Sequence, residues 1–156
     1  MTILNATIRP AVLNDVDQMI LLLKSLFEIE EDFIFDYERQ KTGITMLLNS
    51  GRGLILVAEY HNTVIGMCTG QTVISTAEGG YSLLVEDVVV TSTYRGQGVG
   101  RQLLSTLENW AQQQNIHRLQ LLADRNNTNA LSFYTTTGWK HTELVCLRTY
   151  TNEKCR

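Results

Sequence analysis

Between residues 85 and 101 the chain reads Val-Glu-Asp-Val-Val-Val-Thr-Ser-Thr-Tyr-Arg-Gly-Gln-Gly-Val-Gly-Arg, and no other stretch restricts the fold so strongly. Its first half is β-branched and apolar, as in a strand. After Gly98 the apolar residues Val99, Leu103, Leu107, Trp110 and Ala111 recur at the spacing of one helical face. A strand that passes through a glycine-rich loop straight into a helix is an anion site in outline. Glycine lets the backbone turn tightly and approach a ligand, and the helix start offers unpaired N–H groups and the positive end of its dipole. A helix that merely begins with glycine is the alternative reading of such a cluster. Spacing excludes the two commonest phosphate loops. There is no GxxxxGK followed by Ser or Thr, and GxGxxG fails because Arg101 stands where the third glycine would fall after Gly96 and Gly98.

The flanking sequence supplies a mixed sheet. Residues 6–9 predict a short strand closed by Pro10, followed by a helix with Val16, Met19, Ile20, Leu23 and Phe27 on one face and Asn14 as its N-cap. A second helix is expected from about Asp36 to Asn49, burying Ile44, Leu47 and Leu48. Strands are expected at 54–60 and 64–74, joined by a turn at His61-Asn62-Thr63, and at 81–91. After the glycine loop come a helix at 98–114, a strand at 117–123, a short helix at 127–137 ended by Gly138, and a final strand at 139–149. The fold class is thus α/β with a mixed α+β sheet, in the order β-α-α-β-β-β-α-β-α-β, as a single domain over 1–156.

Charge and apolar run lengths narrow the function classes. Thirteen Lys and Arg against sixteen Asp and Glu give a net charge of −3, which offers nucleic acid no electrostatic footing. The longest apolar runs are five residues, where a membrane span needs ~20. The first residues lack the basic start and apolar core of a signal peptide, so a cytoplasmic location is expected. Cys68, Cys146 and Cys155 are far apart and in no metal-ligand spacing, as are His61, His117 and His141, so free thiols and no metal are expected.

What does fit the loop is Arg95-x-x-Gly98-x-Gly100, and with it Asn127-x-x-Ala130-x-x-Phe133-Tyr134-x-x-x-Gly138-Trp139 and the opening Ile8-Arg9-Pro10-Ala11 before a helix. Together these resemble the GNAT superfamily of acetyl-CoA-dependent N-acetyltransferases over nearly the whole chain, from Thr7 to about Arg148. The resemblance implies that backbone amides of Arg95, Gly96, Gln97, Gly98, Val99, Gly100 and Arg101 hold the pyrophosphate of coenzyme A. It implies too that Val88, Val89 and Val90 pair their backbone with the pantetheine arm. Asn127, with Ala130 behind it in the motif, would reach the pantetheine end, and Tyr134 would sit beside the sulfur. From spacing alone, Tyr134 reads equally as a core aromatic.

Acetyl transfer to an amine requires a neutral nucleophile, yet an alkylamine of pKa ~10.4 is free base in only about one molecule in 10³–10⁴ at pH 7. Glu86 and Asp87 sit beside the proposed pantetheine strand. Because adjacent strand residues point to opposite faces, one of them is expected to reach the acceptor, and the resemblance selects Glu86 as base. Tyr134 would protonate the leaving thiolate, and a backbone N–H of Val88, Val89 or Val90 would stabilise the oxyanion. A solvated strand carboxylate is the bland reading of either acid.

The connection between the first two helices carries the acceptor hypothesis. From Glu28 to Glu38 there are six acids and no Lys or Arg, so thirteen bases face the ten acids that remain elsewhere. Glu31 and Phe33, with Glu86 and Asp87, are the candidate substrate-binding residues for a cationic amine, Phe35 and Tyr37 adding aromatic faces. Residues 71–80, with Ser75, Thr76 and Glu78, offer an alternative surface for an amino sugar. The partners expected are therefore acetyl-CoA and a small amine, with a homodimer through residues 144–149 as a further expectation. The rival readings are a CoA-binding GNAT module without turnover and a protein or peptide N-acetyltransferase.

Overall fold

In the computed structural model, residues 3–30 and 32–151 are described. They divide into two compact units, one running to Leu121 and one beginning at Leu122.

The first unit is a five-stranded sheet in the order β1-β2-β3-β4-β5, formed by β1 (Thr7–Pro10), β2 (Gly53–Tyr60), β3 (Thr63–Ser75), β4 (Gly80–Val90) and β5 (Leu119–Leu121). Neighbours are antiparallel except β4 and β5, which are parallel. The β2–β3 turn works because His61 and Asn62 both adopt positive φ, 48° and 61°, the primed geometry whose twist matches that of a hairpin.

Alternation along β3 assigns the two faces. Met67 joins Val57 and Val89 in a buried cluster with Met19, Ile20 and Leu23 of α1 (Val16–Phe27) and Ile44 of α2 (Tyr37–Asn49). Gly66, Cys68 and Gly70 point the other way, toward α3 (Val99–Gln113), whose Leu103, Leu104 and Leu107 are buried. A Cβ on Gly70 would stand 2.9 Å from Leu83 and 3.1 Å from Leu107, so the bare glycine lets α3 seat this closely. Each fully buried Leu, Ile or Met contributes roughly 1.5–3 kcal/mol.

The two helices of the first face start differently. α2 begins where its sequence predicts, and there Asp36 accepts the Arg39 N–H as its cap. The expected Asn14 cap of α1 is not what forms. A 3-10 turn at Leu13–Asp15 precedes α1, and Asp15 takes the Val12 N–H at 2.8 Å together with both terminal nitrogens of Arg9. The Asp15 carboxylate thus ties down the turn ahead of α1, and α1 itself begins without a side-chain cap.

The second unit contains α4 (Thr128–Thr136), capped by Asn127 and closed by Gly138 at φ 97°. Two sequence expectations need correction nearby. The strand at 117–123 shrinks to Leu119–Leu121, and the final strand at 139–149 does not form among the described residues. Leu144, Val145 and Leu147 are 85%, 66% and 90% exposed. A strand is defined by the pairing of its N–H and C=O groups, and apolar composition alone does not supply that pairing.

Candidate active site

β4 is built from two stretches out of phase. Its register against β3 runs Thr69↔Glu86 and then Met67↔Val89, so Asp87 and Val88 together oppose Cys68 alone. This is a β-bulge, and its first residue, Asp87, sits at φ 52°, the left-handed region where glycine is usual. The bulge overturns the expectation that Glu86 and Asp87 point to opposite faces. Glu86 is cross-strand partner to Thr69 on the α1–α2 face, and the Thr69 hydroxyl donates to Asp87 Oδ2 at 3.3 Å, so both carboxylates belong to that face.

Their environments differ. Glu86 is exposed, whereas Asp87 is largely covered and Thr69 is fully buried. Burial pushes the Asp87 carboxyl up to about 6, with the negative charges of Glu86 and Glu30 adding to the rise and the Thr69 hydrogen bond opposing it. An acid whose folded pKa is raised costs stability once the pH passes its unfolded value near 4. Asp87→Asn is therefore expected to stabilise the fold by up to about 3 kcal/mol at pH 8 and by little at pH 4, as read by urea unfolding.

The bulge lies where β4 loses a neighbour. β5 pairs with β4 only over Leu83, Leu84 and Val85, so beyond Val85 no described strand lies on that edge. Val88, Val89 and Val90 occupy this stretch, with the Val89 side chain in the core cluster. An extended ligand arm can add there as another strand does.

The same strand delivers the glycine loop. After a 3-10 turn at Ser92–Tyr94, Gly96 and Gly98 take φ of 73° and 85°, and α3 begins at Val99, which is buried and anchors the helix start. The Arg95 side chain folds back, Nε donating to the Val90 carbonyl at 2.9 Å, so it ties the loop to β4. One tie was not visible in the sequence pattern. The Leu4 N–H donates to the Gln97 carbonyl at 2.9 Å, and Gln102 Nε2 donates to the Leu4 carbonyl at 2.8 Å. Because a trans peptide sets C=O and N–H opposite, pinning the Gln97 carbonyl to the N-terminal arm turns the Gly98 N–H the other way. Left-handed glycines, a 15-residue helix behind them and an oriented Gly98 N–H are features that anion-binding loops use.

The remaining candidates fall in several places. Glu31 lies outside the described residues, as does Cys155. Phe33 is 42% exposed and its ring packs 5.3 Å from Phe27. Phe35 and Tyr37 already face cations, Lys24 at 6.0 Å and Lys41 at 5.6 Å, and the Tyr37 hydroxyl donates to Asp17. Among the described residues of this connection, Glu30 is the one whose charge reaches Asp87. Ser75 and Glu78 are engaged by Arg118, and Ser75 stands six positions along β3 from Thr69, about 20 Å at the usual strand rise.

In the second unit, Asn127 Oδ1 accepts the Ala130 N–H at 3.0 Å, and the Tyr134 ring packs 5.3 Å from Phe133 and 6.0 Å from Trp139. Cys68 is buried against the Leu103 carbonyl with its thiol pushed up to about 12, which suits a core residue and not a nucleophile. No group of three or more His, Cys, Asp or Glu among the described residues is placed to hold a metal ion.

Residues 19–139, which contain the bulge, the glycine loop and α4, match the acetyltransferase (GNAT) family. The chain belongs to that family. Solved structures agree on the fold. A transcriptional regulator from Bacillus halodurans C-125 superposes with a TM-score of 0.83 at 23% identity, covering 94% of this chain and 100% of its own. An aminoglycoside acetyltransferase from an uncultured soil metagenomic sample, in complex with sisomicin, gives 0.77 at 23% identity over 95% and 97%. A predicted acetyltransferase with acetyl-CoA from Clostridium acetobutylicum gives 0.76 at 21% identity over 92% and 96%. No curated protein matches the sequence. Within this GNAT chain no described helix is long and apolar enough to cross a membrane.

Proposed function

We propose that this GNAT protein transfers the acetyl group of acetyl-CoA to a primary amine of a small cationic or amino-sugar-like acceptor, by direct attack in a ternary complex. The observation that carries the reading is the bulge at Asp87. It puts two carboxylates on one face of β4, where that strand's outer edge falls open and continues into the glycine loop. Amides of residues 95–101 hold the pyrophosphate, Val88, Val89 and Val90 pair with the pantetheine arm, and Asn127, its Oδ1 already given to Ala130, donates from Nδ2. A backbone N–H beside the bulge stabilises the oxyanion, and Tyr134 returns a proton to the thiolate as it leaves.

On the acceptor side, Glu86 and Glu30 supply negative charge beside Asp87, with Glu31 and Phe33 from the same connection, and attract an ammonium. Relatives of the same fold solved with sisomicin and with acetyl-CoA support both halves of this assignment. The reaction is assigned to the cytoplasm, and residues 144–149, of which Leu144, Val145 and Leu147 are exposed, to a homodimer contact.

Initial rates across polyamines, aminoglycosides, amino acids and short peptides test the acceptor class. Small polycations are expected to give the highest kcat/KM, falling as ionic strength rises because exposed charges are screened. A preference for peptides of neutral sequence would point to a protein N-acetyltransferase instead.

A further inference from the structure

We infer that Asp87, rather than Glu86, takes the proton from the acceptor amine, and that Thr69 is the positioning residue that sets when it does so. The inference rests on the acetyltransferase reading and concerns the same site. Asp87 occupies a left-handed position that favours glycine, at a bulge whose two residues oppose one on β3. Aspartate tolerates the left-handed conformation, but taking its carboxylate out of water is costly. The left-handed turn aims a side chain that regular alternation would send to the α3 face, and here it brings the carboxylate to the α1–α2 face beside Thr69.

Its surroundings suit a base. The Thr69 hydroxyl, buried and 3.3 Å away, holds Oδ2 and leaves Oδ1 to meet an acceptor. The charged groups that act on it are Glu86 of β4 and Glu30 of the α1–α2 connection, both acidic. On the α3 face of β3, the neutral thiol of Cys68 feels its charge. A carboxyl near 6 is a better proton acceptor at neutral pH than an ordinary aspartate near 4. Glu86, exposed on the same face, is placed to hold the cation before the proton leaves it.

The step balances without a co-reactant. Asp87 takes one proton from R–NH3+, the freed lone pair forms the N–C bond, and the carbonyl π pair moves to oxygen. When that pair returns the C–S bond breaks, the sulfur takes a proton from Tyr134, Tyr134 regains one as the second N–H proton is lost, and Asp87 releases its own to solvent. The sum is R–NH3+ and acetyl-CoA giving R–NH–COCH3, CoA–SH and H+.

The test is kcat/KM against pH from 5 to 9 for the wild type, Asp87→Asn, Glu86→Gln and Thr69→Val, with acetyl-CoA affinity by calorimetry on each. Asparagine tolerates the left-handed region as aspartate does, so Asp87→Asn is expected to fold and bind acetyl-CoA as the wild type does. The wild type should show an acidic limb near pH 6. Asp87→Asn should lose that limb and ~10²–10⁴-fold in kcat. Glu86→Gln should keep the limb and lose kcat/KM mainly through KM for cationic acceptors. Thr69→Val, which removes the bond that lowers the Asp87 pKa, should move the limb to higher pH. Asp87→Asn within a few-fold of the wild type, or loss of the limb in Glu86→Gln alone, would overturn the assignment while leaving the acetyltransferase reading intact. A wild type that acetylates no amine would remove both.

Discussion

Gly98→Asp is expected to abolish coenzyme A binding in a chain that still folds. Gly98 holds φ 85° directly before α3, and a Cβ there would meet Ile3 Cγ2 at 3.3 Å. Aspartate is among the side chains that tolerate the left-handed region best, and the N-terminal arm has room to shift at a side-chain tip. What it does not tolerate is the anion. A carboxylate a few ångströms from a pyrophosphate, at the effective dielectric of a protein surface, opposes binding by about 3–4 kcal/mol. That is a loss of at least ~10²-fold in affinity. Gly98→Ala separates the causes, since it keeps the backbone strain and the Ile3 contact without the charge, and should lose about tenfold. Calorimetry with coenzyme A reads both variants; an affinity for Gly98→Asp within a few-fold of the wild type would remove the pyrophosphate from this loop.

The second large effect lies away from the site. Asp15 is buried, 4% exposed, and accepts two bonds from Arg9, at 2.8 and 3.0 Å, and one from the Val12 N–H. Arg9 in turn reaches Glu59 of β2, so the network fastens the start of α1 to both β1 and β2. Asp15→Ala leaves the Val12 N–H without its acceptor and the half-buried Arg9 guanidinium with Glu59 as its remaining carboxylate, for which a loss of about 2–3 kcal/mol is expected. The Arg9 hydrogen bonds hold the Asp15 carboxyl below the usual carboxylate range. Stability from a lowered pKa is fully present above the unfolded value near 4 and is lost as pH falls through the folded value. Urea unfolding from pH 5 to pH 2 should therefore show a loss that begins below about pH 4 in the wild type and is smaller in Asp15→Ala. The sign is opposite to that of Asp87, which costs stability as the pH rises toward 6.

Much of this molecule was legible before any coordinates. The Gly96 and Gly98 positions, the His61-Asn62 turn, the start of α2 near Asp36 and the apolar faces of α1 and α3 each follow from one local requirement that sequence expresses directly. The site was legible as a segment but not as geometry. Reasoning by alternation sent Glu86 and Asp87 to opposite faces, because a bulge adds one residue without a sequence mark when the left-handed position holds Asp in place of Gly. Thr69 and Glu30 were missed for a related reason. Their importance comes from contact with Asp87 across a strand pair and a helix connection, and no local pattern records that. The apolar run Leu144-Val-Cys-Leu147 has the composition of a strand, yet composition alone does not decide whether its backbone pairs.

The most direct measurement of the central claim follows free thiol release and amine acetylation together, in one reaction of purified protein, acetyl-CoA and an amine panel at pH 8. Thiol release that begins only when an amine is added, in a one-to-one ratio with an N-acetylated product, is the predicted result. Tight acetyl-CoA binding with neither thiol nor acetylated amine across the panel would contradict it, and would make the chain a CoA-binding GNAT module without turnover.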